Sequence, residues 1–200
     1  MRSRILEMGR EAKILRADLS REEEVDRLAA EIVASTEALE VVVHNAAIYE
    51  KVPFAEIDRD RYRRMQAINL EAPFFLTQKL LPLLEKGENP SVIHVTDIGG
   101  EKPEPGYSHY SVSKAGLVML TRALAVELAP RIRVNAVSPG TVAFPEAMDE
   151  EARREILARI PMGREGDCED VARAAVFLAL EAPYVTGQIL AVDGGRSALL

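Results

Sequence analysis

Along the chain, short apolar runs alternate with longer stretches in which apolar residues recur every three or four positions. Five runs read as strands, over 12–17, 40–45, 91–96, 131–137 and 188–192. Several are unbroken in Val and Ile, as expected of strands covered on both faces. The amphipathic stretches between them predict helices over 21–35, 59–70, 108–128, 149–159 and 167–180. The second runs on towards Leu84 with a bend at Pro73. Ser20 followed by Glu23 reads as a capping box, Asp58 as an N-cap, and Pro130 as the stop of the long helix. Gly9 reads as the C-cap of a helix that opens the chain. Such alternation predicts an α/β fold, a doubly wound, Rossmann-like and mostly parallel sheet. No internal repeat or low-complexity linker interrupts it, so residues 1–200 read as one domain.

Bulk properties narrow the picture. Hydrophobic residues make up 48% and charged residues 28% of the 200, which is globular composition. Lys+Arg 25 against Asp+Glu 32 gives a net charge of −7, spread along the chain, so no basic footprint points to nucleic acid. Cys168 is the only cysteine. That excludes an internal disulfide, suits a reducing compartment, and predicts a small buried hydrophobe. No run approaches the roughly 20 apolar residues of a membrane helix, and the first residues lack the apolar core of a signal peptide. A cytoplasmic protein with no membrane partner is expected. His44, His94 and His109 have no metal-ligand spacing, so no metal is expected. His44 reads as a satisfied structural histidine at a strand end, and His94 as a residue on a sheet face beneath a helix.

The chemistry gathers between Thr96 and Lys114. Thr96-Asp97-Ile98-Gly99-Gly100 ends an apolar strand, and Gly106-Tyr107-Ser108-His109-Tyr110-Ser111-Val112-Ser113-Lys114 opens a helix. Tyr110 and Lys114, four apart, share a helix face. An ammonium beside a phenol favours the phenolate and would lower the phenol pKa from about 10, which suits a group that exchanges a proton. An exposed helix face would carry the same pair. Small residues around it (Ser111, Ser113, Ala115, Gly116) favour close approach of a ligand or backbone.

Five segments, taken in order, resemble the short-chain dehydrogenase/reductase family over about residues 12–195. Ala17-Asp18-Leu19-Ser20 is similar to its acidic turn, which contacts the adenine of the cofactor. His44-Asn45-Ala46-Ala47 resembles its Asn-Asn-Ala-Gly signature, with His44 and Ala47 as departures. Ile68-Asn69-Leu70 resembles the segment whose Asn belongs to the proton-relay tetrad. Tyr110 and Lys114 follow, then Asn135 and Pro139-Gly140. The resemblance implies a nicotinamide cofactor held by Asp18, Leu19, Asn45, Ala46, Tyr110, Lys114, Pro139 and Gly140. It also implies catalysis by Tyr110 and Lys114, with Asn69 holding a relay water, and a homotetramer acting on a small molecule. A dinucleotide-binding sheet opens on a strand, a Gly-rich turn and a helix. No Gly-x-Gly-x-x-Gly or Gly-x-x-x-Gly-x-Gly run lies in the 200 residues, so a first β-α-β unit of about 30 residues is expected to be absent.

Asp97 departs from the family, which places a Ser thirteen positions before the catalytic Tyr. With Gly106-Tyr107-x-x-Tyr110 and Arg131-Ile132-Arg133-Val134-Asn135, the aspartate is similar to the pteridine reductase subfamily, which uses NADPH. That likeness implies reduction of a dihydropterin or dihydrofolate, with Asp97 orienting or protonating the heterocycle and Tyr49 stacking on it. NADH is not excluded, because the residue that discriminates the two lies outside the matched segments. Asp97 also reads as a strand-end residue capping a turn, and Tyr49 as a loop or core aromatic. A generic carbonyl or 3-oxoacyl reductase is the alternative substrate reading. A third reading makes the 200 residues a catalytically incompetent chain or structural subunit.

Overall fold

The computed structural model describes residues 2–144 and 148–199. Pro145, in the stretch of roughly 144–164 that the family resemblance marks as a variable substrate-binding loop, lies outside them. Strands β1 (Val41–His44), β2 (Ser91–Val95), β3 (Arg133–Pro139) and β4 (Ile189–Val192) form a sheet in the order β1-β2-β3-β4. All three pairings are parallel, Val92 lying opposite Val42 and Val134. Parallel neighbours require crossovers, and helices supply them. In chain order these are α1 (Arg2–Glu7), α2 (Glu22–Val33), α3 (Arg59–Gln66), α4 (Ala72–Leu84), α5 (Ser108–Glu127), α6 (Glu150–Leu157) and α7 (Cys168–Val176).

Alternation along the strands divides the core in two. Val92 and Val134 pack with Leu84 of α4 and Ala125 of α5. Ile93 and Val137, on the opposite face, pack with Leu178 and Ala179 just beyond α7. Both faces are therefore covered, which is why these strands read as continuous apolar runs. Two π-helical turns, Ala67–Glu71 and Phe177–Glu181, interrupt the helical hydrogen-bond ladder. Arg133 answers the second, donating to the carbonyls of Leu178 (2.6 Å), Ala179 (2.6 Å) and Ala182 (3.1 Å).

Three expectations are corrected. Residues 12–17 form no strand: β1 is the sheet edge on that side, and an extended segment without a ladder partner is not a strand. The capping box at Ser20 does not form. Helix α2 starts after Arg21 without a side-chain cap, because Asp18 takes both the Ser20 amide (3.0 Å) and its hydroxyl (2.7 Å). Cys168 is exposed, since it opens α7 ahead of the residues that reach the sheet. Other boundaries agree within a few residues. Asp58 caps α3 by accepting from the Arg61 amide, Gly9 ends α1 with φ 71°, and Asp167 makes a full capping box with Asp170. Among the described residues, no helix is long and apolar enough to cross a membrane.

Candidate active site

Because the strands are parallel, their C-terminal ends share one edge of the sheet, the usual ligand side of an open α/β fold. Asn45 follows β1, Asp97 follows β2 by two residues, Gly140 follows β3 and Asp193 follows β4. Helix α5 crosses beside this edge. Its buried stripe runs Tyr110, Lys114, Leu117, Thr121 and Ala125, so the two polar residues at its N-terminal end are carried to the strand ends by the apolar ones below. The turn Ile98–Gly100 seats against α5 with no room to spare: a Cβ at Gly100 would lie 2.9 Å from the Lys114 carbonyl carbon.

Asp97 is partly buried and caps that turn, its Oδ1 accepting from the Gly99 amide at 2.6 Å. Its carboxyl also faces the Tyr110 phenol, so the turn-capping and site readings coincide in one residue. Burial pushes the Asp97 carboxyl up, against the opposing pull of the Gly99 amide, Tyr110, Lys114 and Arg196. Burial likewise pushes the Tyr110 phenol up, helped by the neighbouring Asp97 charge. The expected lowering by Lys114 is therefore overturned. The ammonium sits 5.8 Å from the Tyr110 ring centroid and donates to the Val95 carbonyl at 2.9 Å. Burial brings Lys114 itself down to about 8. The phenol is thus held protonated at neutral pH, beside a carboxyl and a buried cation.

Tyr49 joins this cluster. Although 62% exposed, it stacks on Tyr107 at 4.6 Å and meets Tyr110 edge-on at 4.8 Å. Its loop is anchored by Asn69, whose Oδ1 accepts from the Ile48 amide (2.9 Å) while Nδ2 donates to the Ile48 carbonyl (3.0 Å). Nδ2 also lies 3.1 Å from Ser113 Oγ. Both ends of the Asn69 side chain are thus engaged by protein groups. Asn135 similarly pins the approach to β4, accepting from the Gln188 amide and donating to Val185.

The remaining expected residues are spread along the edge. Asn45 and Ala46 are exposed just past β1. Pro139 and Gly140 end β3, where a Cβ on Gly140 would come within 2.7 Å of Asp193 Cβ. Asp18 and Leu19 stand apart from the cluster, on the turn before α2. His44 and His94 are buried under α4 and α5, bonded to Thr77 (2.7 Å) and Thr121 (2.8 Å). His109 is buried, its Nε2 4.0 Å from the Glu50 carboxylate. Sequence reading missed Tyr107 as a stacking partner, though its motif position was in view. It also missed Arg196, which bonds Glu104 across 92 positions and has no local signal.

Comparison with known proteins agrees with this arrangement. The family model described as enoyl-(acyl carrier protein) reductase matches residues 2–197. A 3-oxoacyl-(acyl-carrier-protein) reductase of Thermotoga maritima is 37% identical over 177 residues, covering 86% of this chain and 72% of that protein. Glucose 1-dehydrogenase of Gluconobacter oxydans is 36% identical over 194 residues, 94% of this chain and 73% of its own. Among solved structures, one described as an NAD(P)-dependent gluconate 5-dehydrogenase of Beutenbergia cavernae, with NADP at low occupancy, superposes with a TM-score of 0.92. It is 35% identical and covers 99% of this chain and 82% of that one. From its parallel sheet, the cluster at the strand ends and these matches, the chain belongs to the short-chain dehydrogenase/reductase family of NAD(P)-dependent oxidoreductases.

Proposed function

We propose that the protein is an NADPH-dependent reductase of a small carbonyl compound, with Tyr110 as proton donor. The observation that carries this is the juxtaposition of a protonated phenol, a carboxyl and a buried ammonium where the strands end. The bound nicotinamide supplies the hydride. Asp18, Leu19, Asn45, Ala46, Tyr110, Lys114, Pro139 and Gly140 would hold that cofactor. They suit it along the strand ends, where Asn45 and Ala46 are exposed just past β1. No Gly-rich turn for the pyrophosphate lies among the 200 residues.

Tyr110 donates its proton to the carbonyl oxygen, and the Lys114 ammonium offsets the negative charge left on the phenolate. Asp97, in its protonated form, donates a second hydrogen bond to the same oxygen and so takes the place of a hydroxyl donor. Asn69 is a positioning residue, holding the Tyr49 loop against α5. The chemistry is carbonyl in preference to pteridine because relatives of this chain are named for 3-oxoacyl and glucose substrates. A pteridine-like substrate is the second reading, favoured by the flat aromatic wall of Tyr49 stacked on Tyr107.

Exposed apolar stripes support a homotetramer. Val112, Met119 and Val126 recur every seven residues on the outer side of α5, and Phe177, Leu180 and Tyr184 are exposed near β4. Two separate faces are what a closed four-chain assembly needs.

The test is turnover of NADPH by the protein with an acetoacetyl thioester, simple ketones and a dihydropterin. Carbonyl turnover that Tyr110→Phe reduces by at least about 10²-fold supports the proposal. Turnover of the dihydropterin alone selects the second reading, and ketone activity surviving Asp97→Ala excludes it. No turnover of any of them overturns both.

A further inference from the structure

Beyond β4 the chain makes a turn that is fixed from within. Asp193 accepts the Gly195 amide at 2.9 Å through Oδ1 and the Ser197 amide at 2.6 Å through Oδ2. Gly194 and Gly195 have φ of 63° and 88°, a conformation that glycine adopts at no steric cost. A Cβ on Gly194 would approach Ile160 Cγ2 to 2.7 Å, and its carbonyl accepts from Met162 at 3.1 Å. The turn is therefore clamped between its own aspartate and the segment after α6.

What this rigid turn carries is Arg196, whose side chain is only 16% exposed. Its Nη1 donates to Thr141 Oγ1 at 3.0 Å, two residues past β3. Its Nη2 pairs with Glu104 on the loop that leads through Tyr107 into α5. A second tie joins the same two segments, Lys102 Nζ donating to the Leu199 carbonyl at 3.4 Å. Tyr107 stacks on Tyr49 at 4.6 Å, and Tyr49 meets Tyr110 edge-on at 4.8 Å, so the loop that Arg196 holds carries one wall of the site.

We propose that Arg196 is a positioning residue of the reductase site: it ties the Tyr107-bearing loop to the segment after β3 and so holds the Tyr107 ring against Tyr49, beside Tyr110. This rests on the reading of the Tyr110 site given above. Arg196→Met removes both arms of the tie. Arg196→Lys keeps a cation and loses the two-partner span. Glu104→Ala removes the loop's acceptor and leaves Arg196 bound to Thr141.

The deciding measurement is proton NMR of the Tyr49 and Tyr107 ring resonances in the protein, each identified by its disappearance in Tyr49→Phe or Tyr107→Phe. Arg196→Met and Glu104→Ala are each expected to shift both rings, and the double variant to shift them no further, because one tie is cut in all three. In turnover, KM rises several-fold in both single variants while kcat stays within about twofold of the parent. Arg196→Lys is expected to fall between them and the parent. Should Arg196→Met fail to fold, Arg196→Gln carries the same expectation. Unmoved rings in a folded Arg196→Met, or an unchanged KM beside shifted rings, overturn the proposal. Absence of turnover in the parent defeats the reductase reading alone, since the ring resonances still decide the role of Arg196.

Discussion

Asp97, proposed above to stand where a hydroxyl donor would, can gain or lose a proton, and this changes what a single substitution should do. Its carboxyl is held up by burial, so the donor form persists to higher pH than in an exposed aspartate. Carbonyl reduction should therefore decline as pH rises through the Asp97 midpoint. Asp97→Asn keeps a neutral donor: turnover within about tenfold of the parent and a flattened pH profile are expected. Asp97→Ala should lose about 10²-fold, and a pH profile unchanged in Asp97→Asn would show that the limb belongs to another group. His44 carries a different pH dependence. Desolvation brings its imidazole from 6.5 down to about 4, so between those values the unfolded chain takes up a proton that the fold does not. Stability should fall as pH drops through that window and level off below it, by about 3 kcal/mol for this residue. His94, lowered by the same cause, adds in the same direction. Urea unfolding at several pH values checks this: His44→Gln should remove much of the slope, and an unaltered slope would contradict it.

At the level of elements, the two π-helical turns show how irregular backbone is tolerated where side chains answer it. The first carries Asn69, whose amide bridges the Tyr49 loop and α5, and the second is met by Arg133 from β3. Such turns recur at functional sites because they re-aim a helix face. The turn Ile98–Gly100 makes the same point by contact. With Lys114 backbone 2.9 Å from where a Gly100 Cβ would stand, Gly100→Ala must push the Asp97 turn off α5. A cost of about 1–3 kcal/mol is expected from overpacking, together with a fall in kcat. Thermal unfolding and turnover measured on one preparation test it, and a variant as stable and active as the parent would show that the turn yields freely. At α7, Asp167→Ala removes a complete capping box and should cost about 1 kcal/mol.

For the whole molecule, the faces left uncovered matter most. The sheet is packed on both sides, yet Val126 on α5 remains 82% exposed, along the same helix that carries Tyr110 and Lys114. If α5 faces pair between copies, the helix bearing Tyr110 is braced by assembly, and oligomer state and activity are linked. Val126→Asp, with Met119→Lys, should convert a four-chain mass in light scattering to a smaller species. A parent that is monomeric at micromolar concentration would contradict the tetramer.

Much of this was legible in the primary sequence. The four strands, the long helix and its Tyr110-Lys114 face follow from apolar periodicity, because burial selects residues by face. The order of motifs identified the family, because most of them mark a strand end, a helix start or an irregular turn where backbone geometry is demanding. Local pattern did not show that residues 12–17 lack a ladder partner or that Asp18 takes Ser20 from its capping role. Nor did it show that burial outweighs Lys114 at the Tyr110 phenol. Those outcomes depend on neighbours distant in sequence and on desolvation, which no local spacing encodes. The Tyr49–Tyr107 wall and the reach of Arg196 to Glu104 exist only once parallel strands bring their C-terminal ends to one edge.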